Sequence, residues 1–412
     1  MFFYSFFFFS ICTASGVESL IINGNEHTQS HIIKREIHHP IPGEFDSTLA
    51  AQDRGRIYNL GLFSTVEINQ INSAYTVFVV ETFQLLPIPI VKYEEGKGLS
   101  YGAGLTYLNF RGLNEQLSVG GIGGKETTYF INFIDPWVFG DHGEITTKIY
   151  QFYSESPVYN YSYKERAFLI GSGFYKGESH KFKTELGYEI ISLTTTSTNP
   201  RESLKTYSDG NTAHNYIRGM IAYEYDTRDI HIDPTQGERL TLELIPKLGL
   251  NSTSNRLNLQ LSITKYIRLN NWIFEPVLSF KSHILLKYTQ DLPIFEYEYL
   301  GGENFVRGYS PVIQENPMQV RNKIEGIHII YQNIQLQQTL MKRQDYNGLE
   351  VGMDLAYFID IGISAKSFSS FKMSNGIIGY GIGIRLFVSG LGVISVDFGF
   401  NPYGSWFIHP SD

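Results

Sequence analysis

In the stretch GGENFVRGYSP, residues 301–311, a single arginine, Arg307, stands among glycines, aromatics and a proline. A guanidinium keeps its charge at any physiological pH and presents its donors as a rigid fork. In a confined space it therefore requires a carboxylate, best held bidentately. In open solvent it requires nothing. Gly301, Gly302 and Gly308 allow the backbone to turn tightly around it, while Val306 and Tyr309 would be wasted on an exposed tip. The residue types allow a loop that folds inward and holds something in place, or a surface loop with a hydrated arginine; neither does bond chemistry.

Other groups of reactive type are weaker. Asp226, Asp229, Asp233 and Glu238 crowd a strand end, but their spacing is not that of a calcium loop, and an exposed turn is the preferred reading. His38 and His39 fall at a helix end beside Pro40 with one neighbouring acid, Glu36, which makes a poor metal site. Neither G-x-S-x-G, H-E-x-x-H nor C-x-x-C occurs. The chain is expected to be no enzyme and to use no metal or cofactor.

The chain has 412 residues and a formal net charge of -8, which argues against a nucleic-acid partner. Aromatics reach 15%, with 29 Phe, 28 Tyr and 39 Gly, yet mean hydropathy is only -0.15. That combination fits strands with one face in lipid and one in a polar lumen, flanked by aromatic girdles, or else a soluble all-β protein. The one apolar run, at the N-terminus, is shorter than the roughly 20 residues of a spanning helix. Residues 1–16 read as a secretory signal peptide containing the single cysteine, Cys12, although no Lys or Arg precedes the apolar run. The mature chain is then free of cysteine, which suits an oxidising compartment.

Residues 17–85 read as a small α+β module of order β-α-α-β-β. SLIINGN forms a strand; Thr28 caps a helix through HIIKREI; Asp46 begins a second helix over 46–60 that Gly61 ends; TVEINQI and TVFVVE pair through an Asn-Ser turn. Residues 86–96 serve as a linker or a first strand. From 97 to 412 no helix is expected. Fifteen alternating runs recur, and single-chain barrels close with an even count, so a sixteen-stranded antiparallel transmembrane β-barrel is expected. The segments 194–212 and 289–321 are too long for tight turns and read as its extracellular loops.

The motifs then carry a resemblance. INGN, IIKREI, the run Asp53, Arg56, Asn59 to Phe63, and VFVVE resemble a POTRA domain. NFRGLNEQLSV, FIDPW, YDTRDIHIDPTQGERL, FVRGYSP, YFIDIG and LGVISVDFGF, in this order, resemble the bacterial surface antigen family of Bam-type outer-membrane assembly factors. The resemblance covers nearly the whole mature chain.

The resemblance implies that Arg307, with Gly308 and Tyr309, tucks into the lumen and binds an acid on a later strand. Asp360 in YFIDIG is the match, and Asp354 and Asp397 are fallback partners. It implies a bacterial outer-membrane location with the POTRA-like module in the periplasm. The clients would be unfolded outer-membrane or secreted polypeptides, the surroundings outer-membrane lipid, and the partners periplasmic chaperones or accessory lipoproteins. The function implied is assembly and insertion of β-barrels or polypeptide translocation. Alternatives are a passive porin or surface antigen, a two-partner-type exporter, and a membrane lipase. Thr76, Val77, Phe78, Val79 and Val80 would offer an edge strand to a client. A glycine-rich GKGLSYGAGLTY and a short last strand YGSWFI would make a weak seam.

Three departures stand out: one POTRA where relatives carry several, no plugging helix, and an end at Pro410-Ser411-Asp412 in place of an aromatic residue. The last implies a truncated chain or a last strand that closes differently.

Overall fold

The computed structural model describes residues 16–94, 98–124, 128–138, 143–156, 159, 161–177, 179–195, 213–251, 253–270, 275–289, 294–302, 304–346, 349–389 and 392–411. The expected signal peptide up to residue 15, with Cys12, and the loop residues 196–212 lie outside the described residues.

The first module runs β1 (Ser19–Asn23), α1 (Ser30–Lys34), α2 (Ser47–Asn59), β2 (Phe63–Ile71) and β3 (Ala74–Glu81). Asp46 caps α2, its carboxylate accepting from the amide of Thr48 at 2.7 Å, and Gly61, at φ 71°, lies just past the helix end. Thr28 does not cap α1. That position falls to Gln29, with no side-chain cap, and the Thr28 hydroxyl accepts from Asn109 instead. Ile32, Ile33, Ile57, Val66, Val77 and Val79 close a core between the helices and the sheet.

The sheet order is β1-β3-β2. Thr76–Val80 therefore belong to the central strand, paired parallel to β1 and antiparallel to β2, and they offer no free edge. The expectation of an edge there is corrected. The faces of β3 still alternate, with Val77 and Val79 buried and Phe78 46% exposed, so the residue pattern alone did not distinguish a central strand from an edge.

The rest of the chain is one antiparallel sheet with a short insertion. Its strands are β4 (Leu85–Glu94), β5 (Gly98–Phe110), β6 (Glu115–Gly124), β7 (Thr128–Asp135), β8 (Gly143–Glu155), β9 (Tyr161–Lys176) and β10 (His180–Thr195). Then come β11 (Ala213–Asp226), β12 (Gly237–Leu250), β13 (Arg256–Arg268) and β14 (Val277–Thr289). A small ribbon, β15 (Glu298–Tyr299) with β16 (Glu325–Gly326), lies within the long loop. The sheet resumes with β17 (His328–Tyr346), β18 (Leu349–Ala365), β19 (Ile377–Val388), β20 (Gly392–Phe400) and β21 (Trp406–Ser411).

Sixteen strands pair in sequence order, with β14 joined directly to β17 across the loop. Residues 85–94 are thus the first strand of this sheet. Most strands exceed the roughly 9–11 residues of a tilted membrane crossing. Their faces alternate: on β18, Tyr357, Ile359 and Ile361 are exposed while Ala356, Phe358 and Asp360 are buried. Among the described residues, β4 and β21 are the two ends of the ladder series.

The first module contacts the turns at one end of the sheet. Gln29 donates its amide to the Gly112 carbonyl at 3.0 Å, and the Arg35 guanidinium lies 3.4 Å over the Trp137 ring. Asn59 donates to the Asp229 carbonyl at 3.3 Å and accepts the His231 amide at 3.1 Å. Tyr58 donates to Glu350; burial, then the carboxylate, pushes its phenol up. Gly112, Trp137, Asp229 and His231 lie in turns and Glu350 at the start of β18, all at the same end, so the long loop between β14 and β17 rises from the opposite end.

Candidate functional site: the latched loop

The loop returns against the inner face of the sheet. Leu300, Val306 and Tyr309 pack with Leu285, Ile329, Tyr331 and Ile377 in one buried cluster. Burying that apolar surface requires the backbone to come very close to two strands. At Gly308, φ is 94°, and an added Cβ would stand 2.4 Å from the Phe400 carbonyl oxygen; at Gly379 it would stand 1.8 Å from that of Arg307. Glycine at both positions is a steric requirement.

This seat brings Arg307 to its acids. Its Nε donates to Asp360 Oδ2 at 2.7 Å and its Nη2 to Asp360 Oδ1 at 2.9 Å, the bidentate fork. Nη1 donates to Asp397 Oδ2 at 2.8 Å. The Arg307 amide also reaches Asp360 Oδ2 at 3.1 Å, and the guanidinium lies 3.4 Å over the Phe358 ring. Asp360 and Asp397 are both fully buried, where an unpaired carboxylate would be very costly.

The remaining lone pairs are accounted for. Asn333 and Tyr331 donate to Asp360 Oδ1 at 2.7 and 3.1 Å, and Arg385 donates to Asp397 Oδ1 at 2.6 Å. Two arginines thus meet two aspartates, and the cluster is neutral.

Asp397, expected only as a fallback, is a full partner. Asp354, the other fallback, is not brought to Arg307. It accepts from Gln337 at 2.8 Å, six residues from Asp360 on the same face of β18. Gly308 and Tyr309 extend the latch. The Gly308 amide donates to His409 Nε2 on the last strand at 3.0 Å, and its carbonyl accepts from Asn401 at 2.7 Å. Tyr309 Oη donates to the Ile378 carbonyl at 3.0 Å. Asn333, Arg385 and His409 were not foreseen. Their only signal was inward parity on their strands, which they share with many residues.

The loop is held a second time with opposite polarity. Glu296 sits between Arg256 of β13, which pairs with it directly, and Lys287 of β14 at 3.3 Å. Burial raises its carboxyl, but Lys287, Arg256 and Lys247 outweigh this and take it from the ordinary 4.5 to about 2. Because the folded value lies below the unfolded one, this anchor contributes fully above pH 4.5 and is lost as the pH falls toward 2. Protease cleavage of the loop should rise over that interval, and Glu296→Gln should flatten the dependence. An unchanged acid profile in Glu296→Gln would exclude the anchor.

The other reactive-looking groups are engaged in structural contacts. Asp229 accepts the amides of Thr235 and Gln236, Asp226 pairs with Arg228 at 2.6 Å, and Asp233 with Arg343. The acids act singly within a turn and do not converge. The amides of His38 and His39 donate to buried Asp53. A cavity of about 930 Å³ opens between α2 and the barrel turns; Arg56 and Arg228 line it, each already paired to its own aspartate.

An antiparallel sheet of sixteen strands, apolar outside and charged inside, with one of its own loops latched within, defines an outer-membrane β-barrel protein. The Omp85 superfamily domain matches residues 109–404, and the chain belongs to that superfamily. Among solved structures it is similar to BamA from Haemophilus ducreyi lacking POTRA domains 1-3, at 16% identity and a TM-score of 0.60, covering 95% of this chain and 82% of that one. It is similar also to CdiB from Escherichia coli, at 13% identity and a TM-score of 0.60, covering 97% and 75%. CdiB from Acinetobacter baumannii matches at 11% identity and 0.56, covering 96% and 73%. At such identities the likeness is one of fold.

Proposed function

We propose that this protein inserts β-barrel polypeptides into the outer membrane or passes polypeptide across it, with its POTRA-like module in the periplasm. The observation that carries the reading is the lumen loop, anchored to one wall through Arg307 and to another through Glu296. A loop held by two buried ion clusters can be released as a unit. A machine that opens when a client arrives requires such a release. The work is to lower the barrier to moving polar backbone into lipid, with no bond chemistry and no cofactor.

The client would meet the module at β1 or β2, the strands that end its sheet. Fold likeness to BamA and to CdiB is equal at a TM-score of 0.60, so insertion and export both stay in view. Photo-crosslinkers placed on β4 and β21 in cells divide them. Capture of nascent barrel strands supports insertion, and capture of an extended secreted chain within the lumen supports export. Capture of neither, with steady ion conductance, returns the passive pore and rejects the proposal.

A further inference from the structure

We propose that the outward face of β9 binds the phosphate of a membrane lipid headgroup through Arg166 and Lys164. On this strand Phe168, Ile170 and Phe174 are 47%, 50% and 55% exposed, while Ala167 and Leu169 are buried, so even-numbered residues face lipid. A crossing strand needs about 9–11 residues. Counted from Phe174, that length ends at Arg166 and Lys164, at the end of the sheet away from the first module. The two cations therefore stand at headgroup depth.

Their neighbours agree. Arg166 lies opposite Gln151 on β8 and Ile190 on β10; Gln151 lies opposite Tyr129, and Ile190 opposite Asn215. Here the apolar band gives way to a row that is polar apart from Ile190, as at the aromatic girdle of a membrane barrel. One step deeper the faces are Ile131, Ile149, Phe168 and Tyr188, all at least 39% exposed.

The site is preorganised. Gln151 Oε1 accepts Arg166 Nε at 2.9 Å and Tyr129 Oη at 3.1 Å, and is thereby buried although it lies on the outward face. This fixes the guanidinium by one edge and leaves its terminal amino groups for a second, bidentate partner. Lys164 stands two residues away on the same face, opposite Tyr153 and Ser192. Glu165, between them in sequence, turns to the lumen, where it accepts from Tyr150 at 2.7 Å. Among the described residues neither cation has a carboxylate partner. A cation on a lipid-facing wall is unfavourable unless it reaches an anionic headgroup, which also accounts for two of them side by side. The surroundings are the lipid belt itself, so the occupant is a lipid.

The choice of leaflet rests on the orientation proposed above, whereas the phosphate chemistry does not. The full chain in neutral detergent micelles is titrated with lipid A, and retained lipid is counted by native mass spectrometry. Arg166→Gln should lower retention about tenfold or more, since a charge-assisted fork is lost. Lys164→Gln should lower it less, and Arg166→Lys should fall between, keeping charge without the fork. Equal retention by wild type and the Arg166→Gln/Lys164→Gln double variant overturns the proposal. So does displacement of the lipid by inorganic phosphate at equal phosphate concentration. Unchanged protease resistance of the lumen loop verifies the fold of each variant. Client insertion into phosphatidylcholine vesicles, measured on the same proteins, tests the functional reading separately: its failure in wild type leaves the lipid result standing.

Discussion

Arg307→Ala should free the lumen loop, with a loss of about 3–5 kcal/mol, because it leaves two buried carboxylates with one fewer cation. The readouts are the thermal midpoint of the barrel and protease cleavage within 304–320 in the folded protein. Arg307→Lys should recover part of the loss: an ammonium supplies charge but cannot span both Asp360 oxygens and Asp397 together. Asp360→Ala alone should be partly cushioned, since Asp397 still holds Nη1 at 2.8 Å.

The decisive measurement is a double-mutant cycle on Arg307 and Asp360, where contact predicts a coupling of roughly 0.5–3 kcal/mol. If the two single losses simply add, the latch as described is wrong. The Gly308 amide reaches His409 on β21, so release should also loosen the final hairpin. Faster amide exchange along β21 in Arg307→Ala than in wild type would show it.

The second large effect is expected in the first module. Asp53 is fully buried and accepts the amides of His38 and His39 at 2.9 and 3.2 Å, the Tyr75 hydroxyl at 2.8 Å and the Arg56 guanidinium. It ties the segment after α1 to α2 and to the central strand at once. Asp53→Ala strands four donors, one of them charged, and should destabilise the module by about 3–5 kcal/mol. Asp53→Asn keeps an acceptor oxygen and should cost less. Urea unfolding of the full chain, followed through exchange at the His38 and His39 amides, measures it. A change within about 0.5 kcal/mol of wild type would show that the site is already solvated and the proposed role absent.

Several features followed from the sequence alone because they are local. Period-two alternation is a property of the pleated backbone, so runs such as ERLTLELIP declared both a strand and which side meets lipid. The even strand count was not local; it was expected from the even numbers of single-chain barrels. The Asp46 cap and the helix-ending Gly61 are also local chemistry.

What needed the tertiary structure depends on strands far apart in the chain. Alternation places Asp354, Asp360, Arg385, Asp397 and His409 on the inner face. It says nothing of their height in the lumen, which the stagger between strands fixes. Register sets Asp360 opposite Gly379, and there, with no Cβ, the Arg307 backbone can approach. Asp354 faces Arg385 on the same strand pair, too far along the barrel to reach the loop. The place of β3 in the middle of its sheet was likewise settled by packing, since β1 could have joined either side of the β2–β3 hairpin. The sequence by itself determined a wall of alternating strands with polar residues inside and an arginine-bearing loop, and the pairing of β4 with β5 settled the count at sixteen. Only the fold decided which of those polar residues share one buried, neutral cluster, because an ion pair in low dielectric forms only where several strands deliver their charges to the same height.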